Sequence, residues 1–187
     1  MNLIPLLPFL LLASFGAFPT GKGTTKDGDS LPVLTVCEVL EQRRLRNDRP
    51  VALVGVLGST DEGQWLFDKG CRKQVLTRGF AWENDIWLKW DPSGAPEPSL
   101  MSRVDQTQLK NKLDVVKQRN QLRDFRHGSL DFSDRWVVVL GRFQSRTDLK
   151  PPKGKGPGRD WGTGYGHLNG SPAQLLIKDG SVNYLTN

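Results

Sequence analysis

The stretch PVALVGVLGSTDEGQWLFD at residues 50–68 decides the fold of this chain. Its first half is rich in β-formers and is apolar at odd and even positions alike, which predicts a strand buried on both faces. Residues 60–63 supply a turn, and residues 64–68 start a partner strand, so the two strands form a hairpin. Trp65 and Phe67 share one face of the partner strand.

Further helices and strands flank this hairpin on both sides. Thr35 is an N-cap for a first helix, because Glu38 follows three residues later as in a capping box. A long polar stretch without Gly or Pro at residues 102–126 predicts a helix to about residue 117, followed by a kink or a second short helix. Three more strands are predicted at 80–90, 134–146 and 172–179.

The resulting order is helix, three strands, helix, two strands. A mainly β (α+β) chain with five strands and a helical insertion between strands 3 and 4 has the element order of an OB-fold, a small Greek-key barrel. A different small barrel or an open α+β sheet would have the same order. Four aromatic residues in the apolar strands are predicted to lie in the core: Trp65, Phe67, Trp90 and Trp136.

An apolar, uncharged leader opens the chain at residues 3–18. About 16 residues with two prolines suit a signal peptide better than a membrane-spanning helix, which needs roughly 20. Ser14 and Gly16 fit the small-residue positions before a cleavage site, although the two residues before the apolar run carry no basic side chain. We predict a signal peptide (1–16), a disordered tether (17–30) and one OB-fold-like domain (31–187), and favour a cleaved leader over an uncleaved anchor. The mature protein would then be periplasmic or secreted, without a transmembrane segment.

The two cysteines agree with export. The chain has two cysteines, Cys37 and Cys71, and an even number of cysteines in an oxidising compartment predicts a disulfide. Two buried free thiols are the alternative. The bridge would close a loop of about 35 residues and contribute roughly 3–4 kcal/mol. A metal site has little support, because only His127 and His167 could join the cysteines and neither has ligand spacing.

Short motifs along the mature chain resemble a group of small exported bacterial proteins of unknown function whose domains are similar to OB-folds. The resemblance implies a fold and a compartment and no activity. The insertions at 91–126 and 150–162 depart from that group. The motifs that carry it are VCEVL (36–40), VGVL (54–57), WLFD (65–68), Cys71, GRF (141–143), GYGH (164–167) and PAQL (172–175).

The net charge is +6, and the basic excess is concentrated in two segments. Residues 102–126 hold seven Lys or Arg against three Asp, and residues 142–160 hold six against two. Basic segments beside aromatic residues are typical of single-stranded nucleic-acid binding. They are equally typical of a solvated surface or of attraction to an anionic polymer. The candidate binding residues are Trp82, Trp87, Lys89, Arg142, Tyr165 and His167.

The Gly-rich stretch GTGYGH at 162–167 does not fit a phosphate-binding loop, because it leads into a strand and lacks the G-x-G-x-x-G spacing. Glycines that permit turns with positive φ are the simpler explanation. His167 could act as a general acid or base only with a carboxylate or a nucleophile nearby, which the sequence does not place, so a structural role in which its ring hydrogen-bonds the loop is favoured. No catalytic motif supports it.

We therefore expect an exported, non-catalytic binding or envelope-associated module with no cofactor and no metal. Its partner would be an envelope protein, a glycan or an anionic polymer. One alternative is single-stranded nucleic-acid binding through the basic segments. Another is a secreted OB-fold nuclease, although its Asp, Glu and Arg cluster is missing from the predicted strands, where Asp61, Glu62 and Asp68 lie at a hairpin.

Overall fold

The structure is a computed structural model that describes residues 30–92, 98–127, 136–154 and 160–185. The predicted leader and residues 17–29 of the predicted tether lie outside these ranges. Within them, no helix combines the length and the apolar character needed to span a bilayer. The strands are β1 (Val33–Thr35), β2 (Arg49–Thr60), β3 (Gly63–Phe67), β4 (Leu76–Thr77), β5 (Phe80–Ala81), β6 (Asp85–Trp90), β7 (Trp136–Ser145), β8 (Ala173–Ile177) and β9 (Val182–Tyr184). The helices are α1 (Val36–Glu41), α2 (Arg43–Arg46) and α3 (Gln106–His127), with 3-10 turns at Pro98–Arg103 and His167–Asn169.

Five strands close into a barrel in the order β2-β3-β6-β8-β7 and back to β2. The β6–β8 pair is parallel and the other four pairs are antiparallel. Helix α3 enters between β6 and β7, the third and fourth barrel strands. This is the strand order of an OB-fold, so the predicted OB-fold-like barrel with a helical insertion is confirmed.

Strand β2 is buried on both faces, as its composition predicts. Val51, Leu53 and Leu57 point into the barrel, whereas the alternate residues Val54 and Val56 belong to a second apolar cluster on the outside. Strand β1 pairs in parallel with β2, and Leu109, Leu113 and Val116 of α3 belong to the outer cluster. The barrel wall is therefore covered at this place by a helix, which is why no polar alternation exists in β2.

Helix α1 begins as predicted at a capping box. The Thr35 backbone N–H donates to Glu38 Oε2 over 2.9 Å, and the Glu38 N–H donates to Thr35 Oγ1 over 3.2 Å. Lys112 of α3 pairs with the Glu38 carboxylate. Burial raises the pKa of Glu38, but the Lys112 and Thr35 hydrogen bonds outweigh it and hold this pKa below its usual value.

The structure corrects the predicted break in α3, which runs without interruption from Gln106 to His127. The break was predicted because the apolar stripe of Leu109, Leu113 and Val116 does not continue. Position 120, one turn beyond Val116, is instead the buried polar residue Asn120, whose amide donates to Asp68. A polar side chain with a buried partner continues the inward face of the helix.

Other short elements were not predicted. The strand expected at 80–90 is two strands, since Phe80 and Ala81 pair with β4 and the barrel strand β6 begins only at Asp85. The tail expected after 179 contains β9, which turns back at Gly180 (φ +77°) and pairs with the first half of β7. Trp90 is 51 % exposed and Trp65 is half-buried, so these two residues are not core.

Candidate functional site

A cleft of about 520 Å³ lies across the outer face of β3 and β6. The β2–β3 turn bounds it on one side, and the long connection between β7 and β8 bounds it on the other. Its side chains are mostly aromatic or acidic, with small polar residues between them. The described lining includes Trp65, Phe80, Trp87, Trp161, Glu62, Glu83, Asp85, His167 and Ser171.

Two indoles form the centre of the cleft. Trp65 on β3 and Trp87 on β6 are direct cross-strand partners, and their rings lie nearly parallel with centroids 6.3 Å apart. They point outward because the alternate residues Leu66, Ile86 and Leu88 fill the barrel. Cross-strand aromatic pairs of this kind also stabilise the sheet.

Glycines hold these indoles in place by leaving room for them. A Cβ at Gly58 would collide with the Trp65 ring, and a Cβ at Gly63 or Gly166 would collide with the Trp87 ring. Gly63 (φ +148°) is the first residue of β3, directly after the β2–β3 turn, and Gly166 (φ +74°) lies in the β7–β8 connection. The loops on both sides of the cleft therefore pack their backbone against Trp87, which restricts its orientation.

The Gly-rich stretch has a steric reason beyond its turns. Gly162 and Gly166 adopt positive φ, as expected. Gly164 does not, but a Cβ there would collide with the carbonyl of Asn169 and crowd the Trp82 ring. The alternate glycines are thus needed for close packing of this loop, without any phosphate.

Asp85 is a half-buried residue in the lining of the cleft, and its Oδ1 atom is shielded from solvent. Desolvation raises its pKa to about 6, a hydrogen bond with Ser171 opposes the rise, and the neighbouring charge of Glu83 adds to it. Its Oδ1 atom has no hydrogen-bond partner among the described residues. A desolvated carboxyl group in a cleft is costly to the fold, and such groups are concentrated at functional sites.

His167 connects the two loops that bound the cleft. Its Nε2 lies 3.3 Å from Oε1 of Glu62 in the β2–β3 turn, and both side chains are partly exposed. Leu168 and Asn169, the next two residues, have positive φ, which is rare outside glycine. The carboxylate partner that the sequence could not place for His167 is therefore Glu62.

The candidate binding residues fall in different places. Trp87 and His167 line the cleft. Trp82 does not: it is fully buried in the barrel core, and its indole N–H donates to Thr77 Oγ1 over 3.1 Å, so it cannot stack on a ligand. Tyr165 is half-buried beside the cleft, with the guanidinium carbon of Arg146 5.1 Å from its ring centroid. Burial raises the pKa of Tyr165.

Lys89 and Arg142 lie outside the cleft, in the next row of the barrel wall. Both pair across the sheet with Leu176 of β8, one from β6 and the other from β7. Arg142 also lies 3.6 Å from the carboxylate of Asp48. Neither basic side chain belongs to the described lining of the cleft, and Arg142 instead lines a separate cleft beside Pro50 and Asp91.

Sequence reasoning missed Phe80, Trp161, Glu83 and Asp85 as members of the cleft. Trp161 is 38 % exposed in the β7–β8 connection, and an aromatic residue inside a Gly- and Pro-rich loop is a signal that could have been used. Asp85 gave no signal, because an acidic residue at the start of a strand is common at a solvated edge.

The disulfide Cys37–Cys71 is present, with Cα atoms 5.3 Å apart, and both residues are buried. Asp68 lies against it, with Oδ2 3.1 Å from the sulfur of Cys37. These three residues are also the one group of metal-ligand type among the described residues. The bridged sulfurs are not thiolates, and Asp68 is paired with Arg119 and Asn120, so the cluster is structural.

Comparisons with known protein families, with curated proteins and with solved structures find no match to this chain.

Replacing Asp85 with Asn is expected to stabilise the fold at pH 7.5 by roughly 2 kcal/mol and to change little at pH 4. The pKa rises from 3.8 to about 6 on folding, so the folded state is penalised only where the carboxyl group ionises. The penalty is absent below pH 3.8, grows as the pH rises to about 6 and is complete above it.

Urea denaturation of both proteins between pH 4 and pH 8 measures this effect. Asp179→Asn, at an exposed turn, is the control and should give a difference that does not vary with pH. An Asp85→Asn protein that is less stable than the wild type at pH 7.5 would contradict the prediction.

Proposed function

We propose that this protein is an exported, non-catalytic binding module that holds its ligand in the aromatic cleft. The observation that carries the proposal is the position of the cleft, on the outer face of the second and third barrel strands between the β2–β3 turn and the β7–β8 connection. OB-folds bind oligonucleotides and oligosaccharides on this face with the corresponding two loops. A cleft of this size also falls in the range of small-molecule sites.

Export is the second part of the proposal. A buried disulfide supports it, because such bridges persist in oxidising compartments and are rare in the cytosol. The apolar leader at residues 3–18 supports the same compartment. We therefore expect the ligand to come from the cell envelope, where envelope proteins and glycans are the candidate partners.

The two alternative functions, nucleic-acid binding and a nuclease, both need basic side chains, which the described lining of the cleft does not contain. A nucleic-acid ligand requires basic side chains near the stacking rings, and a nuclease requires Arg or Lys at the phosphate beside its acidic metal ligands. The described residues of the lining include three carboxylates and no Lys or Arg. Lys89 and Arg142 lie one row away, which leaves nucleic-acid binding on that outer surface as the alternative to test.

Trp87→Ala is expected to abolish ligand-induced stabilisation, whereas Trp90→Ala, on the same strand but outside the cleft, should retain it. A panel of neutral glycans, organic cations and single-stranded DNA is screened by the rise in Tm. A ligand at a hundred times its Kd should raise the Tm of wild type by about 5 °C or more. Trp161→Ala serves as a second cleft variant in case Trp87→Ala folds poorly.

Equal stabilisation of wild type and both cleft variants by a ligand would overturn the cleft as the binding site. Single-stranded DNA retention that survives Trp87→Ala and is lost in Lys89→Ala or Arg142→Ala would establish the nucleic-acid alternative. Release of nucleotides in the presence of Ca²⁺ would establish the nuclease.

A further inference from the structure

The charged side chains in the described lining of the cleft are opposite in sign to the net charge of the whole protein. The chain carries a net charge of +6, yet the described lining contains Glu62, Glu83 and Asp85 and no Lys or Arg. Glu62 faces the His167 imidazole, and among the described residues neither Glu83 nor Asp85 forms a salt bridge. An anionic ligand would be repelled here, because like charges in a partly dehydrated cleft disfavour one another.

Aromatic rings accompany the carboxylates. Trp65, Trp87, Phe80 and Trp161 line the same cleft as the three acidic residues. The negative π face of an indole attracts an ammonium or guanidinium group, most strongly when the group is desolvated. Rings together with carboxylates complement an organic cation in shape and in charge.

We propose that the cleft binds a small organic ammonium ion, with its cationic group against the indoles of Trp65 and Trp87 and within reach of Asp85. This inference rests on the proposed function and specifies the chemistry of the ligand. The cleft volume of about 520 Å³ accommodates a molecule of this kind with part of its chain.

Asp85 supplies an independent reason for a cationic ligand. Its Oδ1 has no hydrogen-bond partner among the described residues although it is shielded from solvent. Because a ligand in the cleft cannot contact this shielded oxygen directly, a positive charge held close to the carboxyl group is what would stabilise it. Burial raises the pKa of Asp85 and the charge of Glu83 adds to the rise, so a positive charge nearby would favour the ionised form of this group.

A neutral sugar is the competing occupant. Sugar hydroxyls both donate and accept, so a sugar site presents donors and acceptors together. The described lining does contain donors, in the indole N–H groups and in the hydroxyls of Thr60 and Ser171, so hydrogen bonding alone does not exclude a sugar. The three carboxylates beside the rings favour a positively charged ligand over a neutral one.

The test uses choline, spermidine and arginine amide as probes and follows the six indole N–H signals of the full mature chain by NMR. Choline is paired with dimethylbutanol, its uncharged isostere. We expect at least one cation to shift the signals of Trp65, Trp87 and Trp161 while those of buried Trp82 and Trp136 stay unchanged. The isostere should bind about tenfold more weakly than choline or worse.

Site variants then separate the charge from the rings. Glu83→Gln and Asp85→Asn should each weaken cation binding about five- to tenfold. Asp114→Asn, which removes an exposed carboxylate on α3, is the control and should not alter it. Unchanged spectra of the free variants show that the fold is retained.

Two results would overturn the inference. One is the absence of any shift at Trp65, Trp87 and Trp161 with all three cations. The other is binding of a neutral glycan or of dimethylbutanol as tightly as the cations, which would leave the cleft as the binding site and remove only its preference for positive charge.

Discussion

Asp68→Ala is expected to lower the free energy of unfolding by about 3–5 kcal/mol, because it removes a fully buried carboxylate with several partners. Oδ1 accepts from the Gly70 backbone N–H at 2.8 Å and from the Asn120 amide at 3.0 Å. Oδ2 lies 3.3 Å from Nη2 of Arg119 in an ion pair without a directed hydrogen bond. The variant would leave buried donors unsatisfied and a guanidinium group without its counter-charge.

Urea denaturation of the oxidised protein measures this effect. Asp68→Asn should cost less than Asp68→Ala, since the amide keeps one acceptor and loses only the charge. The matched control is Asp114→Ala, which breaks an exposed ion pair between Lys110 and Asp114 on α3 and should change stability by less than about 0.5 kcal/mol. A cost for Asp68→Ala as small as that of the control would show that the polar cluster does not hold α3 to the barrel.

The Asp68 cluster also shows which part of the fold the sequence could predict. The β2–β3 hairpin, the capping box of α1 and the barrel order follow from patterns within about ten to twenty residues of one another. The continuity of α3 depends on Asn120 meeting Asp68, which is 52 positions earlier in the chain. When its distant partner is not known, a polar residue on an apolar stripe indicates the end of a helix. The kink predicted on this ground was wrong.

The aromatic cleft was only partly predictable for a related reason. Alternation places Trp65 and Trp87 on one face of their strands and Trp90 on the other, and the structure agrees with that parity. Alternation alone does not show which face of a strand points into the closed barrel, nor at which residue the strand leaves the barrel. Trp90 shares the inward face of Ile86 and Leu88 but is the last residue of β6, and it emerges 51 % exposed.

The pairing of β3 and β6 brings Trp65 and Trp87 together, and the β7–β8 connection completes the cleft by bringing Trp161 and His167 to strands about 75 to 100 positions earlier in the chain. Loop glycines indicate turns, but they do not show which side chain the loop will cover. Here Gly166 lies on Trp87 and Gly164 on Trp82, so one Gly-rich segment packs against both the core and the cleft. Only the folded chain distinguishes these two indoles, one fully buried and one available to a ligand.

Removing the disulfide by the double substitution Cys37→Ala and Cys71→Ala is expected to cost about 4 kcal/mol at 25 °C. The two cysteines are 34 positions apart, and their bond restricts the unfolded chain by closing that loop. The native state depends on it as well, since α1 has six residues and is too short to persist without tertiary contacts. The bond joins α1 to the segment that follows β3, beside Asp68.

Urea denaturation should show a lower midpoint and a larger m-value for the double variant, because an unfolded chain without the cross-link exposes more surface. The control is wild-type protein that is unfolded, fully reduced and refolded in reductant, which should match the double variant in both quantities. Agreement would assign the loss to the covalent bond and exclude an effect of the two alanine side chains. A loss below about 1 kcal/mol would contradict the loop-closure account. It would also remove one reason for placing this protein in an oxidising compartment, since the fold would then be equally stable where the bridge cannot form.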